Sequence, residues 1–201
     1  ASPSHLNARI SQSYALRLGE TSDQELGRAE DVANSVAVTN AKKASPNQLA
    51  RARIALGDIQ RARGNPERAA EQYRKAVEAS PGRSSVHQPL VDLYLAESRY
   101  EDALRAIESA LKANPDASDL LVRKADVLRS TGHPEKALEA LWETSGQRAD
   151  WTRGQCHLDL GAFEKAHDAF EAAASAGEMP HASAFALATS SHLDDTSGDA
   201  L

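Results

Sequence analysis

The chain has 201 residues, which is enough for one domain with a hydrophobic core, and a formal net charge of −6. This acidic balance argues against a general nucleic-acid binder, and the single cysteine, Cys156, excludes an internal disulfide framework and any multi-cysteine metal site. Ala, Leu, Glu, Arg and Lys dominate and aromatic residues are only 4%, so the composition favours helices that pack through small side chains. No apolar run approaches the ~20 residues of a membrane-spanning helix.

The first 48 residues are less regular than the rest of the chain. Apolar spacing predicts one helix near Ser4–Leu18 and another near Asp23–Ala44, ended by the Ser-Pro pair at Pro46. Asn34 stands where the repeat described next has a buried alanine. Residues 1–48 are therefore predicted to form a divergent helical repeat or an N-terminal cap.

Residues 49–180 carry a pattern with a period of 34 residues. Each period has a turn residue, then an alanine, then a larger apolar residue. The three strict copies are Gly64, Ala69 and Tyr73; Ser98, Ala103 and Ile107; and Gly132, Ala137 and Leu141. Apolar stripes of helical spacing lie on both sides of each turn, so the pattern predicts a stack of helix pairs.

A fourth copy has the same internal spacing, but its alanine, Ala166, follows Ala137 by 29 residues. The lost residues fall near Thr144–Ala149, so the second helix of the third pair is expected to be short. The predicted repeats span about 50–83, 84–117, 118–146 and 147–180. We expect a capping helix over 181–193 and a polar tail over 194–201.

These positions resemble the tetratricopeptide repeat. That family has a small residue in the middle of helix A, a glycine at the turn, an alanine and an aromatic residue on helix B, and a closing proline. The small helix A residues here are Gly57, Val91, Ala125 and Gly154, and the closing prolines are Pro81 and Pro115, with none in the last two units. The resemblance implies an all-α, right-handed superhelix of antiparallel helix pairs, whose concave groove binds a peptide or helix of another protein.

The resemblance puts the groove on helix A of each repeat. The candidate partner-binding residues of the first two repeats are Arg51, Ile54, Asp58, Arg61, Gln88, Asp92 and Leu95. Those of the last two are Val122, Arg123, Asp126, Arg129, Trp151 and Gln155. Some family members clamp the C-terminal carboxylate of chaperones with Lys, Asn and Arg. At the matching positions, Ile54, Asp58, Pro89, Asp119 and Arg123, only the arginine fits, so that role is not expected.

Aspartate occupies one helix A position in three successive repeats, as Asp58, Asp92 and Asp126. One interpretation is an acidic row that meets a basic or backbone-donor partner. The other is that each aspartate pairs with an arginine on an adjacent helix and stays solvated. Trp151 is either a groove anchor or a core contact between the third and fourth repeats, whereas Trp142, on helix B, is expected in the core.

Catalytic and cofactor motifs are not found in the sequence. No two of the seven histidines have the i, i+4 spacing of a metal pair, and the glycines mark turns rather than a phosphate loop. Cys156 and His157 are neighbours, but adjacent residues of a helix point in different directions. We therefore expect no enzyme, no cofactor and no metal.

The first functional hypothesis is an interaction scaffold for a protein or peptide partner, without nucleic acid or a membrane span. Two alternatives remain open. One is a regulatory or sensory domain cut from a larger bacterial signalling or envelope-assembly protein, with which a chain starting at Ala1 is compatible. The other is a scaffold that assembles with its own copies. The sequence does not choose between the cytoplasm and the periplasm.

Overall fold

In the computed structural model, residues 23–39 and 41–175 are described, together with Phe185 and Ala188. The regular structure of these residues is entirely helical. The elements are α1 (Asp23–Asn34), a π-helical segment (Ser35–Thr39), α2 (Pro46–Ala62), α3 (Pro66–Ala79), α4 (Ser84–Ala96), α5 (Tyr100–Ala113), α6 (Ser118–Ser130), α7 (Pro134–Ala140), α8 (Gln147–Asp159) and α9 (Phe163–Ser175). The predicted helix near Ser4–Leu18, the tail over 194–201 and most of the capping helix over 181–193 lie outside the described residues.

The contacts divide the chain into two compact units, Ala1–Pro115 and Asp116–Leu201. In the first unit, α2 pairs with α3 and α4 with α5, while α3 packs on α4 and α1 packs on α2. In the second unit, α6 pairs with α7 and α8 with α9, and α8 packs on both members of the preceding pair. The predicted all-α class of stacked antiparallel helix pairs is confirmed. No helix among the described residues is long and apolar enough to cross a membrane.

The turn inside each helix pair has one repeated conformation. Its residue adopts a left-handed φ of 72° at Gly64, 56° at Ser98, 79° at Gly132 and 68° at Gly161. The next backbone N–H then donates to the carbonyl five residues back, as from Asn65 to Gln60 at 2.9 Å. This bond closes the end of the first helix and reverses the chain, which explains why the period carries glycine at three of the four turns.

Contact between the two helices of a pair depends on the small residues that the period predicts. The helix B alanines are fully buried, and so are the larger residues four positions later: Ala69, Ala103, Ala137 and Ala166, then Tyr73, Ile107, Leu141 and Phe170. A Cβ placed on Gly57 would lie 2.3 Å from the Tyr73 ring. The glycine therefore sets how closely α2 approaches α3.

The helix α7 has only 7 residues, half the 14 of α3 and of α5, at the place where the sequence predicts a shortened helix. Arg153 of α8 bonds the backbone carbonyls that follow this short helix. Its guanidinium donates to the carbonyl of Leu141 at 2.6 Å, to the carbonyl of Thr144, and to the Asp150 carboxylate. These bonds satisfy carbonyls that a longer helix would have paired internally.

The helix after Asp23 ends earlier than expected. The α-helical pattern stops at Asn34 and continues as a π-helical segment over Ser35–Thr39. The hydroxyl of Ser35 donates to the carbonyl of Val32 at 2.7 Å, which competes with the backbone ladder at this point. Ala33 is buried and Asn34 is exposed, so the small buried residue of this region is shifted by one position.

Candidate functional site

The predicted groove residues all lie on the first helices of the pairs, α2, α4, α6 and α8. In the first unit, Arg61 is exposed, Asp58 is buried, and the half-buried ones are Arg51, Ile54, Gln88, Asp92 and Leu95. In the second unit, Val122 is buried, and the half-buried ones are Arg123, Asp126, Arg129, Trp151 and Gln155. Most of these side chains therefore keep part of their surface available to a partner.

Asp58 differs from the expectation of a solvated groove residue. It is 5% exposed, and its Oδ1 accepts a hydrogen bond of 2.7 Å from the hydroxyl of the fully buried Tyr73. A buried tyrosine hydroxyl needs a partner, and this carboxylate supplies it. The position equivalent to Tyr73 holds Ile107, Leu141 or Phe170 in the other repeats, so only this pair has a hydroxyl to satisfy.

Asp126 has different neighbours. The hydroxyl of Thr152 donates to its Oδ1 at 2.9 Å, and the guanidinium of Arg148 lies 3.9 Å from its Oδ2. On the same helix, Arg129 donates to Asp159 at 3.1 Å. At Asp126 the pairing with an arginine of the adjacent first helix is thus present. Asp58 and Asp126 therefore share a position in the repeat but not an environment.

Trp151 belongs to a cluster of three aromatic rings in the second unit. Its ring centroid lies 5.1 Å from that of Phe170 and 5.3 Å from that of Phe185, and the two phenylalanine centroids are 5.2 Å apart. Edge and tilted contacts at these distances are favourable for aromatic pairs. Trp151 therefore packs within its own helix pair and against Phe185. Because its side chain is only half-buried, part of its surface stays exposed.

Trp142 was expected in the core, and this prediction is wrong. Its exposed fraction is 83%, whereas the preceding Leu141 is fully buried. The reason is the early end of α7 at Ala140, with Leu141 as its C-cap. Trp142 lies beyond the helix, so it no longer follows the helical stripe that the sequence pattern assigned to it.

The structure adds residues that the groove prediction missed. In the first unit, an open cavity of about 580 Å³ is lined by Lys43, Ala44, Ser45, Asn47, Gln48, Arg51 and Arg83. Only Arg51 was among the predicted groove residues. The repeat pattern gave no signal for the other cations, because Lys43 precedes Pro46 by three residues whereas Arg83 follows Pro81 by two, so they hold different positions in their repeats.

Cys156 and His157 have the properties of packing residues. The thiol of Cys156 is fully buried, and burial raises its pKa to about 11, so it is protonated at neutral pH and a poor nucleophile. Burial also lowers the pKa of His157, with Lys165 and Arg153 acting in the same direction. Within the described part of the chain, no group of three His, Cys, Asp or Glu residues could hold a metal ion.

Helix pairs joined by one repeated left-handed turn, with alternating small and large residues at their contact, define an α-helical repeat protein. The chain belongs to the tetratricopeptide repeat family, whose model matches residues 25–84 and 89–144, more than half of the sequence. The first matched range includes all of α1 except its first two residues, and the fourth helix pair lies outside both ranges. Members of this family are generally non-enzymatic scaffolds for protein–protein interaction.

Solved structures agree with this assignment of the fold. The structure of MamA has a TM-score of 0.60 at 21% identity and covers 76% of this chain and 88% of its own. YrrB, described as a TPR protein with an unusual peptide-binding site, has a TM-score of 0.55 at 23% identity, with 71% and 77% covered. PilF of Pseudomonas aeruginosa has a TM-score of 0.66 at 16% identity, with 96% and 88% covered. A comparison with curated protein sequences finds no match.

Proposed function

We propose that this protein is an interaction scaffold that binds an extended or helical segment of a partner protein along the first helices of its repeats. The observation that carries the proposal is a stripe on α4: Gln88, Asp92 and Leu95, at i, i+4 and i+7, are each half-buried. Residues with this spacing share one face of a helix. The stripe combines an amide, a carboxylate and an aliphatic side chain, which suits a bound peptide that offers both backbone groups and apolar side chains.

The second unit offers a related face. Trp151 and Gln155 follow each other at i, i+4 on α8, and both are half-buried. A partly exposed tryptophan is a frequent anchor in protein interfaces. YrrB, whose fold is similar, is described as having a peptide-binding site, and this precedent supports the proposal.

Asp58 and Val122 enter the proposal differently from the other groove residues. Since Asp58 is 5% exposed and Val122 is 4% exposed, they support neighbouring residues and contribute little contact surface of their own. Partner contact is assigned to the half-buried and exposed members of the set.

The test uses peptides selected from a random phage-displayed library against the purified protein. A selected peptide should bind Leu95→Asp at least about tenfold more weakly than the unchanged protein. The bound peptide would cover the new carboxylate with apolar surface and so remove it from water. Ser109→Asp, at an exposed position of α5, is the matched control for the added charge and should change binding less than about twofold. Equal loss in the two variants, or none in either, would contradict the groove.

A further inference from the structure

The cavity of about 580 Å³ in the first unit has a charge that sets it apart from the rest of the chain. Its lining includes Lys43, Arg51 and Arg83, and none of the described residues that line it is Asp or Glu. The whole chain carries a net charge of −6. Three cations around one open cavity, in an otherwise acidic protein, favour an anionic ligand there.

An equivalent cavity in the second unit provides an internal comparison. It lies between the starts of the first helices α6 and α8, as the basic cavity lies between those of α2 and α4, and has about 290 Å³. Its lining includes one carboxylate, Asp119, and one cation, Arg148, so these side chains balance. Helix starts are common to both cavities. The excess of positive side chains distinguishes the first.

The walls of the basic cavity are held in place by hydrogen bonds. Ser45 and Gln48 form a reciprocal capping box, with backbone-to-side-chain distances of 3.3 and 2.9 Å, at the start of α2. The hydroxyl of Ser80 donates to Asn47 Oδ1 at 3.1 Å, which joins the end of α3 to this helix start. A site with fixed walls loses less entropy when a ligand binds.

The segment that carries Arg83 is fixed in a similar way. The Nε2 of the buried His87, on α4, lies 3.0 Å from the carbonyl oxygen of Pro81. This contact ties the connection between α3 and α4 to α4 itself. Neither Lys43 nor Arg83 has a carboxylate within ion-pair distance among the described residues. Both charges are therefore available to a ligand.

We propose that this cavity binds Asp or Glu side chains of the partner segment, and so selects partners with an acidic stretch next to the part that lies along α4. The inference rests on the proposed function, since it assigns the acidic residues to the same partner. Arg51 connects the two surfaces, because it lines the cavity and is also one of the α2 groove residues. The five positions of the chaperone-tail clamp do not line the cavity, so this is a different use of the fold.

A peptide is favoured over a nucleic acid as the source of the negative charge. A nucleic-acid site needs a basic stripe or surface that follows the phosphate backbone, whereas these cations surround one cavity of a chain with net negative charge. The cavity is large enough for more than one carboxylate. Its cations lie on separate elements, which suits several side chains of one extended segment.

The experiment compares two capped Gly/Ser-based peptides that carry the same number of Glu or of Gln residues, titrated into the ¹⁵N-labelled protein and followed by NMR. The Glu peptide should bind at least about tenfold more tightly than the Gln peptide, and its affinity should fall as salt rises from about 50 to about 300 mM. The largest changes in amide chemical shift should fall on residues 43–51 and 83. Arg83→Glu and Lys43→Glu should each weaken binding at least about tenfold.

Arg148→Glu, in the equivalent cavity of the second unit, is the matched control and should leave the Glu peptide bound as before. Equal affinity for the two peptides, or equal loss in Arg148→Glu and Arg83→Glu, overturns the inference. Inorganic phosphate is titrated in the same way. If it binds more tightly than the Glu peptide at the Arg83 site, the cavity is a small-anion site and the inference also fails.

The same variants separate this inference from the proposed function. A library-selected peptide that is weakened by Leu95→Asp but not by Arg83→Glu leaves the groove intact and removes the acidic selectivity. A Glu peptide that needs Arg83, together with selected peptides that ignore Leu95→Asp, removes the groove. Circular dichroism of Arg83→Glu checks the fold, and the neutral Arg83→Gln should show a smaller loss of the same kind.

Discussion

Gly154 of α8 lies directly against the ring of Phe170 of α9, and a Cβ on the glycine would be 2.5 Å from the ring. The same relationship joins Gly57 and Tyr73 in the first unit. The other two helix pairs have Val91 with Ile107 and Ala125 with Leu141 at these positions. Where the second helix of a pair carries an aromatic ring, the first helix has a glycine opposite it. Where the second helix carries a smaller aliphatic side chain, the first helix has valine or alanine there. The two positions act as one packing unit.

Gly154→Ala should therefore lower the free energy of unfolding by about 1–3 kcal/mol, because a methyl group has no room beside the buried ring. Phe170→Leu alone should also destabilise the protein, by leaving a cavity. The double variant recreates the Ala125–Leu141 combination, so its loss should be at least about 1 kcal/mol smaller than the sum of the single losses. Urea unfolding followed by circular dichroism measures all three.

The control for this cycle combines Gly154→Ala with Ile107→Val, a buried position of the other unit. Those losses should add to within about 0.5 kcal/mol, since residues without shared partners are usually independent. Simple additivity in the Gly154/Phe170 cycle would mean that the two positions are not coupled.

The sequence predicted the repeated parts of this fold better than the parts that occur once. Turn glycines, buried alanines and large helix B residues follow from a period, because each repeat must solve the same packing problem. Trp142 was assigned to the core because the period was extended through α7, and only the early end of that helix places it outside. The Asp58–Tyr73 bond depends on a hydroxyl that one repeat has. The basic cavity depends on Lys43 and Arg83, which are far apart in sequence and meet only through the stacking of α2 and α4.

Ser98 is the one turn residue of the four helix pairs that is not glycine, and it has a φ of 56°. A side chain in this left-handed region costs about 1–2 kcal/mol, while glycine adopts it freely at some cost in unfolded-chain entropy. Ser98→Gly should thus raise the free energy of unfolding by roughly 0.5–1 kcal/mol. Gly132→Ser, at the equivalent turn, should lower it by a similar amount. Thermal and urea unfolding test both, and a Ser98→Gly variant less stable than the original would refute the argument.

Cys156 predicts a pH dependence of stability. Burial raises the pKa of its thiol from 9.0 to about 11 in the folded protein, so between these values the unfolded chain loses a proton that the folded chain keeps. The contribution of the thiol is unchanged below its unfolded pKa and is lost as pH rises from about 9 to about 11. Cys156→Ala has no such proton. The stability difference between the two proteins should therefore shrink with rising pH. A difference that stays constant between about pH 8 and about pH 10.5 would exclude this effect.

Arg153 should account for the stability of the irregular connection after α7. Arg153→Met keeps the apolar stem but removes the donors to the carbonyls of Leu141 and Thr144, so we expect a loss of about 1–3 kcal/mol in the free energy of unfolding. Arg148→Met is the matched control on the same helix. The Arg148 side chain is 64% exposed, and its ion pair with Asp126 is long, at 3.9 Å. Its removal should therefore change stability by less than about 1 kcal/mol. Native-state amide exchange should speed up over 141–146 in Arg153→Met and not in Arg148→Met, because only the first variant releases this segment from α8. Equal stability losses, or unchanged exchange in both, would show that the shortened helix is held by its apolar contacts alone.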